Sequence, residues 1–202
     1  MSALKKEKYT EQEYLGVERQ AEIKSEFYAG EMFAMAGASR EHNIISLNIA
    51  MSFRRKTEKR ACEVYHSDMR VYASKYGFYT YPDIVLVCGE PRFIDDMFDT
   101  LLNPSVLVEV LSKTTADYDK NQKFDFYRSI DSLKYYLVVR QNRPCVELRK
   151  KIRKDFWEVQ FYENLGDIVR LDSLELSFVL AEIYEKIEFK EEDDERRTLQ
   201  KT

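Results

Sequence analysis

Glycine and proline are scarce, 6 and 4 among 202 residues, which excludes a collagen-like or linker-like chain. Cysteine is scarcer: Cys62, Cys88 and Cys145 are widely spaced and form no C-x-x-C pair. Neither a zinc site nor a disulfide framework is predicted, and each cysteine is read as a buried thiol. Apolar runs such as Ile84–Cys88 are short, far below the roughly 20 residues of a membrane-spanning helix. Met1–Glu13 is mostly polar and shows no charged-then-apolar leader, so a cytoplasmic protein without a membrane partner is expected. The chain contains no G-x-S-x-G, no G-x-G-x-x-G and no G-x-x-x-x-G-K-[ST]. A serine acyl-transfer elbow and the common nucleotide cradles are thereby excluded. Charge of one sign is lacking too: the formal net charge is −4, with acidic weight in Glu191–Glu195. That argues against a bulk polycation and leaves room only for a local nucleic-acid footprint.

What is present is a core. Hydrophobic residues make up 44% and aromatics 13%, enough to bury a large fraction of a single domain without staples. Thr10-Glu-Gln-Glu13 is a capping box opening a short helix through about Gln20. Glu22–Ala36 reads as a hairpin turning at Ala29-Gly30. Ser39 is placed to cap a helix from Arg40 to about Lys59, with Ile45, Ile49 and Phe53 on its apolar face. Strands follow within Glu63–Ala73, Tyr79–Val87 and Ser105–Leu111, the last two separated by a polar-aromatic connection over 91–103. A loop over 114–118, capped by Asp117 or Asp119, precedes a helix over 120–130. Tyr135–Val139 is a buried strand, and Cys145–Leu174 supplies two or three antiparallel strands with a turn at Gly166-Asp167. A short helix is expected over 180–189. The prediction is one mixed α/β domain over 1–189, followed by a charged and disordered tail over 190–202.

Two acids stand out. Asp83 sits at the mouth of an apolar strand in Tyr81-Pro-Asp-Ile-Val-Leu-Val87, and Glu109 interrupts Leu107-Val-Glu-Val-Leu111. A lone carboxylate in such a strand is expensive unless it is paired or bound to a cation. Two acids converging from one sheet would hold a hard divalent ion, Mg²⁺ or Mn²⁺. The alternative for each is a salt bridge or a solvated edge. Lys123 and Tyr127, at i and i+4, share a helix face close behind the Glu109 strand. An ammonium there would orient a water and offset phosphate charge. His42 shares a face with Ile45 and Ile49, where a satisfied core histidine is the plain alternative. His66 is read as ordinary and Glu31 as solvated.

These segments resemble the PD-(D/E)XK nuclease superfamily, and within it the Uma-type restriction-endonuclease family. The likeness lies in Glu26–His42, Tyr81-Pro-Asp83, Leu107–Ser112, and Thr115–Lys123 with Tyr127, and it spans roughly residues 10–150. It implies a restriction-endonuclease-like core: a central mixed sheet flanked by helices, with an N-terminal helix and hairpin and extra C-terminal strands. It further implies that Asp83 and Glu109, with the backbone carbonyl of Val110, bind the metal, and that His42 lies near the metal or the attacking water. Glu26 supports the site. The superfamily's lysine two residues after the second acid is absent, because Leu111 stands there. Lys123 takes that role in this reading, with Lys113 as a weaker stand-in.

The function so implied is Mg²⁺-dependent hydrolysis of DNA phosphodiester bonds by a homodimer. Two basic runs are candidate DNA contacts: Arg54, Arg55 and Lys59, with Lys56 and Arg60; and Lys150 and Lys151, with Arg149, Arg153 and Lys154. A solvated surface is the alternative for both. The rival functions are a catalytically silent nuclease fold that binds nucleic acid or a protein, and a dimeric interaction protein whose acids form internal salt bridges.

Overall fold

The strand Val106–Leu111 (β8) is buried along its whole length, so its residues must alternate between two apolar layers. The computed structural model describes residues 8–112 and 118–189. The elements before β8 are α1 (Glu11–Glu18), β1 (Ser25–Tyr28), β2 (Glu31–Ala34), α2 (Arg40–Lys56), β3 (Cys62–His66), β4 (Arg70–Ala73), β5 (Phe78–Thr80), β6 (Ile84–Cys88) and β7 (Thr100–Leu101). After β8 come a π-helical turn (Tyr118–Gln122), α3 (Lys123–Tyr127), β9 (Tyr135–Arg140), β10 (Val146–Arg153), β11 (Phe156–Tyr162), β12 (Ile168–Leu171), β13 (Leu176–Val179) and α4 (Leu180–Ile183).

A six-stranded sheet runs in the order β11-β10-β9-β8-β6-β3. Only β8 and β9 are parallel within it. A parallel pair requires a crossover, and the segment carrying α3 supplies it. Val106, Val108 and Val110 face a core built with Ile45, Ile49 and Phe53 of α2, Val169 and Phe178 of the β12–β13 hairpin, and Leu180 and Ile183 of α4. Leu107 and Leu111 face a second core with Tyr127, Leu133, Tyr136, Val71 and Phe78. That second layer includes a five-stranded sheet, β2-β1-β5-β4-β7. Helix α1 seats Tyr14 and Leu15 against Phe27 and Tyr79 on that sheet. The mixed sheet flanked by helices is the α/β architecture expected.

Local chemistry explains the ends of the elements. Thr10 and Glu13 form the reciprocal capping box, and Ser39 caps α2 by accepting from the His42 amide. Ala29 and Gly30 both have positive φ, 52° and 87°, the twist that a two-residue hairpin requires. Three helices differ from expectation. α2 stops at Lys56, with Thr57 as its C-cap. The helix expected over 120–130 starts earlier, as the π-helical turn, and its α-helical part ends at Tyr127. α4 ends at Ile183. Asp119 lies inside the π-helical turn rather than at a cap. Tyr118, read as the end of the preceding loop, opens the π-helical turn; residues 114–117 of that loop with the Asp117 cap, Lys113, and the tail over 190–202 lie outside the described residues.

The cysteine reading is corrected. Cys62 and Cys88 are directly opposite in the β3–β6 ladder, with Cα atoms 4.0 Å apart, and form a disulfide. Residue spacing hid this, because antiparallel register and not sequence distance brings them together. Cys145 is a buried free thiol, whose pKa burial pushes up. No helix among the described residues is long and apolar enough to cross a membrane.

Candidate active site

Pro82 donates no amide and separates β5 from β6, so Asp83 stands where a strand begins. Ile84 pairs with Val108 across the antiparallel β6–β8 ladder, which sets Asp83 opposite Glu109. The ladder stops there, leaving the Val110 amide without a strand partner on that side. Asp83 takes its place: the Val110 N–H donates to Asp83 Oδ2 at 2.7 Å. The same oxygen lies 3.1 Å from His42 Nε2, which the first turn of α2 delivers. Both contacts fall on Oδ2, so Oδ1 is the oxygen left for a ligand.

Glu109 points into the second core. Its Oε1 accepts from Tyr127 Oη at 2.7 Å and from Lys123 Nζ at 3.1 Å. The Lys123 ammonium also lies 3.0 Å from Glu26 Oε1 and 3.0 Å from Asp119 Oδ1. Glu26 is held in turn by Thr80 Oγ1 at 2.5 Å and Tyr118 Oη at 2.9 Å. Tyr136 Oη donates to the Asp119 carbonyl at 2.6 Å, tying the π-helical turn to β9. The charge centre therefore has two parts. Lys123 and Glu109 are sealed, with side chains 6% and 5% exposed, whereas His42 and Asp83 are somewhat less buried, at 14% and 16%.

Electrostatics follows from this arrangement. Burial is the main force that pushes the Glu109 pKa well above the ordinary carboxylate range, and repulsion from Asp119 and Asp83 adds to it against the pull of Lys123. Burial opposes the charge on Lys123, but Glu109, Tyr127, Glu26 and Asp119 hold its pKa well above the usual amine value. For His42 burial lowers the pKa, and the hydrogen bond and charge of Asp83, with Asp119 and the Val110 backbone, outweigh it, so the net shift is upward.

That shift has a measurable sign. A histidine whose folded pKa is raised contributes stability that is fully present below its unfolded value and fades as pH rises through the folded one. The wild type is expected to exceed His42→Gln in unfolding midpoint by a few degrees at mildly acidic pH and to converge with it in mild alkali. Thermal melts across that range check this, and a gap that widens in alkali would sink it.

The set fits a hard divalent cation. Four carboxyl groups (Glu26, Asp83, Glu109, Asp119) face one lysine and one histidine, and the repulsion felt by Glu109 is what a cation relieves. Among the described residues no ready-made cluster of three His, Cys, Asp or Glu ligands occurs. Mg²⁺ does not need one, since it is held through one or two carboxylates and keeps several waters.

His42, Asp83, Glu109, Lys123, Glu26, Tyr127 and the Val110 backbone are thus brought together. The basic residues are not. Arg54, Arg55 and Lys59 are exposed at the far end of α2 and beyond it, about 20 Å along the helix from His42. The run 149–154 does not form one patch, because strand alternation splits it. Lys150 turns to Asp172 at 2.9 Å, while Lys151 reaches the carbonyls of Ile130 and Asp131 on the other face. Arg149 is buried, paired with Glu147 at 2.6 Å and lying 4.3 Å over the Phe124 ring. Asp119 was missed as a site residue. Its i,i+4 spacing to Lys123 was the available signal.

Comparison with known proteins agrees with this frame. An uncharacterized protein of Synechocystis sp., sll1609, is 40% identical over 148 residues, covering 73% of this chain and 84% of that protein. A second from the same organism, slr1290, is 31% identical over 182 residues, 90% of this chain and 94% of that protein. A crystal structure described as "a putative nuclease belonging to DUF820" from Anabaena variabilis superposes with a TM-score of 0.70 at 14% identity, covering 87% of this chain and 97% of that one. At that identity it shows the fold. Residues 9–182 match the profile of the Uma2 family, described as "Putative restriction endonuclease", and with two relatives matched over most of their length the chain belongs to that family.

Proposed function

We propose that the protein is a metal-dependent endonuclease that hydrolyses phosphodiester bonds of DNA. The observation that carries this is the pairing of Asp83 with Glu109 across adjacent strands, with the Lys123 ammonium on Glu109, in a chain of a restriction-endonuclease family. Asp83 Oδ1, Glu109 and the Val110 carbonyl are the groups that would hold Mg²⁺ or Mn²⁺. When bound, such an ion polarises a phosphate oxygen and lowers the pKa of a bound water.

The chain's own residues do the rest. His42 and the Val110 amide fix Asp83 from two sides. Lys123 keeps its proton at neutral pH, because its carboxylate neighbours hold its pKa high. It is therefore an orienting donor and a counter-charge for the pentacovalent phosphorane, not a base. Tyr127 holds Glu109 by a hydrogen bond to Oε1. Backbone contacts to the duplex fall to exposed cations, with Arg54, Arg55 and Lys59 the candidates on one flank.

A second reading, a nuclease fold that binds nucleic acid without cutting it, is favoured by Leu111. That residue stands where the superfamily has a lysine, and it is buried in the second core. Titration calorimetry of Mg²⁺ and Mn²⁺, with plasmid nicking on the same samples, separates the two. Wild type is expected to bind and nick, and Asp83→Ala/Glu109→Ala to do neither. A folded wild type that neither binds metal nor nicks DNA would overturn the endonuclease.

A further inference from the structure

The six-stranded sheet has two edges, and the outer edge of β11 is unprotected. Natural edges are blunted by lysine, proline, bulges or brevity, since an open edge is a template for another strand. β11 is seven residues, Phe156-Trp-Glu-Val-Gln-Phe-Tyr162, with Glu158 as its sole charge and no proline. Its pairing with β10 is regular from Tyr162↔Val146 to Trp157↔Lys151, and the one irregularity lies at the hairpin end. Among the described residues no strand pairs with its outer side. Exposed apolar side chains gather here: Ile152, Phe156, Val159, Phe161, Leu165 and Ile168 are each at least 41% exposed.

The sequence of β11 reads nearly the same in both directions: two aromatics, a polar residue, valine, a polar residue, two aromatics. We propose that β11 pairs antiparallel with β11 of a second copy about a two-fold axis at Val159, so that two six-stranded sheets join into one. In this register Val159 meets Val159 and Trp157 meets Phe161, making one apolar strip across the axis. On the opposite face Phe156 meets Tyr162, and Glu158 of each copy meets Gln160 of the other, a carboxylate against an amide donor.

The one-residue slides and one of the two-residue slides fail. Sliding by one residue sets the apolar row of one copy beside the polar row of the other. Sliding by two in one direction sets Glu158 against Glu158, a like-charge pair. The strip Trp157, Val159, Phe161 lies on the face that carries Glu109, as the registers Arg149↔Val159, Tyr136↔Arg149 and Glu109↔Val138 require. A two-fold normal to the sheet keeps both copies of that face on one side. Only this consequence, two sites open to one duplex, rests on the proposed endonuclease.

Sedimentation equilibrium over a wide concentration range tests the pairing. Wild type is expected to dimerise and Val159→Lys to remain monomeric at the same concentrations. Gln160→Lys places two new opposite-charge pairs against Glu158 and is expected to tighten the dimer roughly ten-fold, while Gln160→Glu weakens it by a similar factor. Both differences shrink at high salt. These side chains are exposed, so circular dichroism should not change, and the Gln160 pair decides the question even if Val159→Lys misfolds. A wild type that stays monomeric, or a dimer indifferent to all three substitutions, overturns the proposal whatever the nuclease assay shows.

Discussion

Replacing Lys123 by methionine is expected to lower the thermal unfolding midpoint at neutral pH by on the order of 10 °C, from the roughly 3–5 kcal/mol cost of breaking a buried ion pair and about 2–4 °C per kcal/mol for a chain of this size. The reason is local. The ammonium is within 3.1 Å of Glu26, Glu109 and Asp119, and its side chain is 6% exposed. Methionine fills the volume but leaves three carboxyl groups facing one another without a counter-charge. The loss should depend on pH with a definite sign. Glu109 has a raised folded pKa, and an acid shifted that way favours the fold below its unfolded pKa and opposes it as pH rises through the folded one. Without Lys123 the shift grows, so the deficit of the variant should be small at pH 5 and widen toward pH 8. Adding Glu109→Gln should recover part of it, giving a coupling of at least about 1 kcal/mol in a double-mutant cycle. A midpoint shift of a degree or two, flat with pH, would mean that the ammonium is solvated and the cluster open.

The same cluster shows what the sequence made legible. Asp83 and Glu109 were visible because a carboxylate in an apolar strand breaks a local rule, and such breaks mark sites. Lys123 and Tyr127 were visible through helical spacing. Asp119 obeys the same spacing to Lys123, but placing the helix start at 120 left it outside, and the π-helical turn that carries it has no clear sequence signature. The hairpin, α2 and most strands followed from turn residues, a cap and alternation, but β7, inside the connection read over 91–103, and β13, beyond the strands read to Leu174, did not. Nor did the strands' pairing: Cys62 meets Cys88, and β4 runs parallel to β7, through contacts between segments far apart in the chain. The basic run 149–154 illustrates the limit. It reads as a patch in one dimension, yet the strand period sends Lys150 and Lys151 to opposite faces and buries Arg149 against Phe124.

Asp83→Asn is expected to reduce cleavage by about two to three orders of magnitude, the usual effect of removing one charge-stabilising group, while moving the unfolding midpoint little in mild alkali, where the His42–Asp83 charge pair no longer contributes. Asparagine preserves the acceptor for the Val110 amide that now meets Oδ2 at 2.7 Å, so β6 and β8 stay in register. What is removed is one negative charge at the less buried part of the cluster, where His42 and Asp83 are 14% and 16% exposed. Binding responds alike in the two functional readings, and cleavage separates them. DNA binding is governed by phosphate repulsion and attraction, so loss of this carboxylate should leave binding in EDTA unchanged or tighter. An endonuclease then shows unchanged or tighter binding with cleavage gone. A silent binding fold shows the same binding with no cleavage to lose. Single-turnover cleavage and anisotropy titrations on one preparation give both quantities. An Asp83→Asn protein that still cuts at the wild-type rate would remove Asp83 from the chemistry and leave the cluster a structural ion network beneath the sheet.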